Sequence, residues 1–191
     1  MATQSERRAT TQAAILDAAE KLFRQKGFDG ASVEDITSAA NVAKGTFYQH
    51  FETKTDILLA LIRRHEAETL NEIEHHLRQG RPPLKVGEAL VQGVARSFEK
   101  DRKMAVKSIA VAMTNPAPKD EPSLRTAFAR IFAEAQRRGE IRADMDPHDL
   151  ALTLVGGVLP VILLWVAEGK KGELAPAIGK LWRVLLEGFQ S

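Results

Sequence analysis

Six residues in the first third of the chain have the side-chain types and the spacing to contact nucleic acid. They lie in the segment KGTFYQH, where a single phenylalanine interrupts a run of polar or small residues. Lysine suits guanine and glutamine suits adenine in the major groove, and hydroxyl groups suit phosphate. Glycine permits close approach of the backbone to a ligand. The six residues are Lys44, Gly45, Thr46, Tyr48, Gln49 and His50.

Two short helices joined by a tight turn must position these residues. Ser32, followed three residues later by Asp35, resembles a capping box and predicts the start of the first helix. Asn41 tolerates the left-handed backbone of a tight turn. The second helix is expected to begin near Lys44 and to carry the polar residues through position 50, with Phe47 turned to the core. The pattern predicts a helix-turn-helix whose second helix can enter the major groove of DNA.

The segment from Gly27 to Leu61, GFDGASVEDITSAANVAKGTFYQHFETKTDILLAL, resembles the DNA-binding segment of the TetR (tetracycline-repressor-like) regulators. The resemblance includes the core KGTFYxHF and the following TKxxIL. Two positions depart from the family pattern. Asn41 stands where the family usually has glycine, and Ala43 stands where it usually has serine or threonine. Because alanine cannot cap a helix, one expected cap of the second helix is missing.

The resemblance implies that the chain binds double-stranded DNA through this segment. The expected DNA contacts are Ser32, Lys44, Gly45, Thr46, Tyr48, Gln49, His50 and Lys54. Among them, Tyr48, Thr46 and Lys54 are expected to hold phosphates, whereas Lys44 and Gln49 are expected to read base edges. The alternative for these polar residues is an ordinary solvated helix face.

Composition limits the other classes of function. The chain has 191 residues and a net charge of +2, so any nucleic-acid binding depends on local placement of charge. It contains no cysteine, which excludes disulfides, thiolate metal sites and cysteine nucleophiles. Residues 1–11 lack the apolar stretch of a secretory signal, so cytoplasmic residence is the default expectation. No phosphate-binding glycine loop, nucleophile elbow, HExxH or paired-carboxylate signature is present, and we expect neither an enzyme nor a cofactor.

Apolar periodicity and capping residues predict an all-α chain of about nine helices. A mobile arm over residues 1–9 is expected to precede helix 1, which starts near Thr10 or Thr11 and ends at Gly27. Helix 4 should run from Lys54 to about Arg78 and link the two parts of the chain. Residues 115–122 are expected to form an exposed loop. We predict a helix-turn-helix DNA-binding domain over residues 1–53 and a ligand-binding and dimerisation domain over residues 54–191.

The resemblance also implies a pocket for a small-molecule effector in the second domain. Flexible and aromatic apolar side chains line many ligand pockets, although at helical spacing the same residues also form plain cores. An apolar or amphipathic ligand is expected, and its binding would shift the population of shapes so that helix 4 swings and affinity for DNA falls. The predicted ligand-binding residues are Phe98, Met104, Met113, Phe128, Phe132 and Trp165.

Residues 150–167 carry no charged side chain and are just long enough to cross a membrane. A helix buried on both sides explains them better, with one side against its own domain and the other against a second copy. A homodimer through residues of about 147–189, without a membrane, agrees with the resemblance. A two-fold dimer would place its recognition helices roughly 34–36 Å apart, or at a multiple of that, and read a pseudo-palindrome.

Three alternatives remain beside a regulator. His65, Glu72 and His76 fall near one face of helix 4 and could bind zinc, although a solvated face of mixed charge explains them better. A helical ligand carrier or scaffold would account for the second domain but not for the N-terminal pattern. A DNA binder anchored by residues 150–167 would need a membrane.

Overall fold

The computed structural model describes residues 3–118, 121–169 and 173–190, and every regular element in these ranges is an α-helix. The all-α architecture predicted from the sequence is confirmed. The nine helices of the described ranges are α1 (Gln4–Gly30), α2 (Val33–Ala39), α3 (Lys44–Tyr48), α4 (Lys54–Arg78), α5 (Pro83–Lys100), α6 (Arg102–Thr114), α7 (Leu124–Arg137), α8 (Pro147–Glu168) and α9 (Leu174–Gln190).

Helix α1 begins earlier than its apolar pattern indicates. The hydroxyl of Thr3 accepts the N–H of Glu6, whose carboxylate in turn accepts the N–H of Thr3. This capping box satisfies N–H groups at the helix start, so polar residues can extend the helix without an apolar face. The predicted mobile arm is therefore wrong for residues 4–9, while Met1 and Ala2 lie outside the described residues. Gly27, with φ of 75°, interrupts the helix where its end was expected.

Contacts divide the chain into two compact units. The first unit holds Met1–Arg64 and Lys107–Asn115, and the second holds His65–Val106 and Pro116–Ser191. Helices α4 and α6 each contribute residues to both units. The functional boundary between residues 53 and 54 stays a prediction.

The core of the first unit gathers one apolar side chain from each of four helices. These fully buried residues are Ile15 of α1, Ile36 of α2, Phe47 of α3 and Ile57 of α4. Arg64 then ties α4 to α1, since its guanidinium lies 2.6 Å from Asp17 and 2.5 Å from Glu20. The short helices α2 and α3 are thus held against two long ones, which fixes the side that stays exposed.

Helices α5, α7, α8 and α9 form the core of the second unit. The indole of Trp182 stacks on the ring of Phe132, with centroids 6.2 Å apart and planes 16° apart, and also contacts Phe128. Gly87 of α5 lies against this indole. A Cβ at Gly87 would fall 2.5 Å from Cη2 of Trp182, so only glycine permits this approach.

Local side-chain and backbone features mark both ends of helix α8. Asp146 accepts the N–H of His148 at 2.7 Å, and Gly169 ends the helix with φ of 67°. Within the described ranges, α8 alone is long and apolar enough to cross a membrane, by length and composition, and only 28% of its apolar window is buried.

Helix α8 therefore has an apolar exposed side in the single chain, whereas the exposed side chains of α9 include Lys180, Arg183 and Glu187. The exposed large apolar side chains are Leu152, Leu163 and Leu164 of α8 and Val184 of α9. A Cβ added at Gly157 would make an ordinary van der Waals contact with Leu181 of α9 at 3.4 Å, and a Cβ added at Gly156 would meet nothing within 4 Å. Dimerisation through this side stays a prediction, and residues 170–172 of the expected range lie outside the described residues.

Candidate nucleic-acid interface

The start of α2 is fixed by the capping box that the sequence predicts. The hydroxyl of Ser32 accepts the N–H of Asp35 at 3.0 Å, and the carboxylate of Asp35 accepts the N–H of Ser32 at 2.9 Å. Lys26 adds an ion pair to Asp35 at 3.0 Å. The backbone N–H of Ser32, then Lys26 and the Ser32 hydroxyl, lower the pKa of Asp35 to about 2. The expected capping box is confirmed.

The turn between α2 and α3 depends on a left-handed residue. Asn41 has φ of 53°, which asparagine tolerates better than most residues. The N–H of Val42 then bonds to the carbonyl oxygen of Thr37 at 3.0 Å and closes the turn. Ala43 occupies the N-cap of α3 and supplies no side-chain hydrogen bond, as its type dictates.

Helix α3 ends earlier than predicted. It was expected to carry Gln49 and His50, but Gln49 is its C-cap and His50 lies in the turn that follows. The N–H of Gln49 bonds to both Gly45 and Thr46, and the N–H of His50 bonds to Phe47. Bonds to the third preceding residue tighten the last turn and stop the α-helix.

A buried phenylalanine orients the polar side of α3. Phe47 is completely buried, and the centre of its ring lies 5.2 Å from the centre of the Tyr48 ring, with the two ring planes nearly perpendicular. Tyr48 itself is 51% exposed. An added Cβ at Gly45 would meet nothing within 4 Å, so the backbone there faces open space. Of the other expected contacts, Ser32, Lys44 and Gln49 are exposed, and Thr46, His50 and Lys54 are half-buried.

An ion pair links the two short helices. Nζ of Lys44 lies 2.5 Å from Oε1 of Glu34, and both side chains are exposed. Chiefly through this hydrogen bond, Lys44 lowers the pKa of Glu34 below its usual range, and Glu34 raises the pKa of Lys44. Sequence reasoning missed Glu34, because the two residues are ten positions apart and meet only across the turn.

Lys54 has structural partners within the protein. Its ammonium donates to the carbonyl oxygens of Phe28 at 2.9 Å and Ala31 at 2.7 Å, and lies 4.9 Å from the centre of the Phe28 ring. Thr53 and Asp56 form a capping box at the start of α4, with Asp56 Oδ2 accepting the N–H of Thr53 at 2.7 Å and the Thr53 hydroxyl accepting the N–H of Asp56 at 3.2 Å. One N–H of the Lys54 ammonium remains beyond these two bonds, so its phosphate contact stays a prediction.

The six predicted ligand-binding residues do not form one group. Phe128 and Phe132 are buried in the aromatic core with Trp182. Trp165 is buried beneath the guanidinium of Arg102, 4.2 Å from its ring centre. Met113 is 60% exposed and belongs to the first unit. The remaining two, Phe98 and Met104, are half-buried in the second unit.

The second unit also has an open cavity of about 330 Å³. None of the six predicted ligand-binding residues lines it. Its lining residues are Ala117, Arg125, His148, Asp149 and Leu152. Within the part of the chain that the structure describes, no three histidine or acidic side chains lie close enough to hold a metal ion, including those of helix α4.

Comparison with known proteins decides the family. The model of bacterial regulatory proteins of the tetR family matches residues 15–61. A second model, the C-terminal domain of TetR/AcrR family transcriptional repressors, matches residues 65–188. The protein belongs to the TetR family. It is therefore a DNA-binding transcriptional regulator with an N-terminal helix-turn-helix, and the expectation that it is not an enzyme is confirmed, since this family consists of regulators.

Individual relatives of this TetR-family chain agree with the assignment. The HTH-type transcriptional regulator UidR of Escherichia coli (strain K12) is 30% identical over 164 residues, covering 78% of this chain and 80% of UidR. The fatty acid metabolism regulator protein of Bacillus subtilis is 23% identical and covers 93% of this chain and 94% of its own. Among solved structures, Thermus thermophilus FadR in complex with lauroyl-CoA superposes with a TM-score of 0.70 at 26% identity, covering 94% of this chain and 95% of FadR.

Proposed function

We propose that this TetR-family protein is a cytoplasmic repressor that binds a pseudo-palindromic operator as a homodimer and is released by a small apolar or amphipathic ligand. The exposed polar side of α3, held in place by the buried Phe47, carries the proposal. A side that offers donors at a helix N-terminus and leaves open space at Gly45 suits the major groove.

Different residues contact the base edges and the phosphates. Lys44 and Gln49, both exposed, read bases. Tyr48 and Thr46 donate their hydroxyls to phosphates, and Lys54 offers its remaining N–H at the start of α4. Ser32 and His50 contact the backbone at the edges of the same surface.

The homodimer is supported by the exposed apolar side of α8 and by the exposed Val184 of α9. Four large apolar side chains there are exposed in the single chain, which is unusual for the surface of a soluble monomer. A second copy related by a two-fold axis would cover them and give a four-helix contact. This accounts for the composition of α8 without a membrane.

The ligand binds in the predicted ligand-binding and dimerisation domain, residues 54–191. FadR of Thermus thermophilus binds lauroyl-CoA and the Bacillus subtilis relative is a fatty acid regulator, which favours a ligand with an apolar chain. Aromatic and flexible side chains of α5 to α8 suit such a chain. Ligand binding favours a shape of the second unit that, through helices α4 and α6, lowers affinity for the operator.

Selection of random duplex DNA by the purified protein, followed by footprinting at a stated salt concentration, tests the proposal. Enrichment of a two-fold repeated sequence, with protection of both half-sites, is the expected result. Loss of protection on adding medium-chain acyl-CoA or fatty acid would identify the ligand class. Uniform weak protection of every duplex would contradict the proposal and favour a helical ligand-binding protein without sequence-specific DNA binding.

A further inference from the structure

The ion pair between Glu34 and Lys44 places a carboxylate on the surface that contacts DNA. Glu34 lies in the first turn of α2, and Lys44 is the first residue of α3. A carboxylate repels phosphates, so it lowers the affinity for DNA of any sequence. As a surface ion pair it adds little stability, because exposed pairs are weak. The Glu34–Lys44 ion pair therefore affects the choice of DNA sequence more than the stability of the protein.

The ion pair keeps hydrogen-bonding capacity on both sides. One N–H of the Lys44 ammonium bonds to Oε1 of Glu34, which leaves two N–H groups free of that bond, and Oε2 of Glu34 is not part of it. The two side chains are 56% and 66% exposed. Donors and an acceptor thus stand side by side, next to the open backbone at Gly45.

This arrangement matches the major-groove edge of one G·C base pair. Guanine presents the acceptors O6 and N7, which suit lysine, and cytosine presents the N4 amino donor, which suits glutamate. A lysine without a partner binds a phosphate as readily as it binds a guanine base. With Glu34 beside it, the positive charge of the ammonium is balanced by the carboxylate, and the carboxylate repels phosphate oxygens.

We propose that Glu34 is a specificity-determining residue that directs Lys44 to a G·C base pair of the operator and away from phosphates. This inference rests on the proposed function, in which α3 reads the major groove. It adds a residue of α2 to the reading surface and names the base pair that it selects.

Glu34→Gln removes the charge and Glu34→Asp keeps it on a shorter side chain. Both variants and the wild type are taken through selection of random duplexes, and their affinity for the selected operator and for a scrambled duplex is measured between 50 and about 200 mM salt. Asp29→Asn is the matched control, since it removes one exposed carboxylate of the first unit. Thermal melting checks that each variant is folded.

The wild type should select a G·C pair at one symmetrically repeated position. In Glu34→Gln that preference should fall about tenfold. Its affinity for the scrambled duplex should rise roughly fivefold to tenfold near 0.15 M salt, and the salt slope should steepen by about one. Glu34→Asp should weaken the preference with the salt slope unchanged, and Asp29→Asn should keep the wild-type preference.

A Glu34→Gln variant with the wild-type preference and salt slope would overturn the inference while the proposed function stands. An equal loss of preference in Asp29→Asn would overturn it as well, because the effect would then be one of net charge. If Glu34→Gln fails to fold, unchanged preference in Glu34→Asp overturns the inference. A wild type without any preference would instead overturn the proposed function itself.

Discussion

The ammonium of Lys54 donates to the carbonyl oxygen of Ala31 at 2.7 Å, across 23 residues of sequence. The same group donates to Phe28 and lies over its ring, so a cation at the start of α4 satisfies carbonyl groups at the end of α1. Lys107 of α6 lies over the same ring at 4.9 Å. Lys54 therefore holds the first unit together, whatever it contributes to DNA binding.

Replacing Lys54 by alanine should lower the stability of the protein by about 2 kcal/mol, because two charge-assisted hydrogen bonds are lost. Chemical denaturation measures the change. Lys107→Ala, which removes only a cation near the same ring, should cost less than half as much. Equal losses in the two variants would show that the carbonyl bonds of Lys54 contribute nothing.

DNA binding by Lys54→Ala should also weaken, to the same extent for every sequence and with a salt slope lower by about one. Affinity is measured well below the melting temperature of the variant, so that unfolding does not contribute. A change in base preference at one position would contradict the phosphate contact.

Gly45→Ala should separate DNA binding from stability. A Cβ at this position meets nothing within 4 Å in the protein, and alanine favours a helix over glycine by up to about 1 kcal/mol. Stability should stay or rise, whereas operator affinity should fall about tenfold if the backbone approaches DNA closely. Gly93→Ala is the control, since Gly93 also lies in a helix with open space around it. Unchanged operator affinity in Gly45→Ala would argue against close approach.

Gly87→Ala should destabilise the second unit by about 1–3 kcal/mol, the usual cost of overpacking a core. Its new methyl group would lie 2.5 Å from the indole of Trp182, which is held by the ring of Phe132. Gly93→Ala, in the same helix α5, should be neutral or stabilising. Thermal melting measures the stability of both variants. A Gly87→Ala protein as stable as the wild type would mean that Trp182 can move aside.

Acid should weaken the start of α2. The pKa of Asp35 is lowered to about 2 by the N–H of Ser32, by Lys26 and by the Ser32 hydroxyl. A carboxyl group whose pKa is lower in the folded state stabilises that state above its unfolded pKa of about 4, and this contribution is lost as the pH falls toward 2. Melting temperatures of the wild type should therefore fall more steeply between pH 4 and 2 than those of Asp35→Asn. Asp29→Asn should follow the wild type, and parallel curves for Asp35→Asn would refute the assignment.

Leu164→Glu should convert the proposed dimer into a monomer. Leu164 is 62% exposed on α8, and a charge there would be buried without a partner in the two-fold contact. Sedimentation measures the mass in solution. Met113→Glu is a matched control, because Met113 is 60% exposed but belongs to the first unit. A Leu164→Glu protein that remains dimeric would place the dimer contact elsewhere.

Local sequence determined most of the secondary structure. Ser32 with Asp35, and Asn41, each act on backbone groups within a few residues, so their patterns predicted the cap and the turn correctly. Thr3 and Glu6 have the residue types and the spacing of a capping box, so the sequence also contained the signal for the start of α1, although no apolar pattern accompanies it.

Tertiary structure alone decided which charged groups meet and which apolar side stays open. Glu34 reaches Lys44 across a turn, and Lys54 reaches the carbonyl groups of Phe28 and Ala31. Both pairings depend on the angles at which helices pack, and periodicity does not encode those angles. The composition of α8 predicted burial on all sides. Only its packing against α7 and α9 decided which side of the helix, the side that carries Leu164, stays exposed in the single chain.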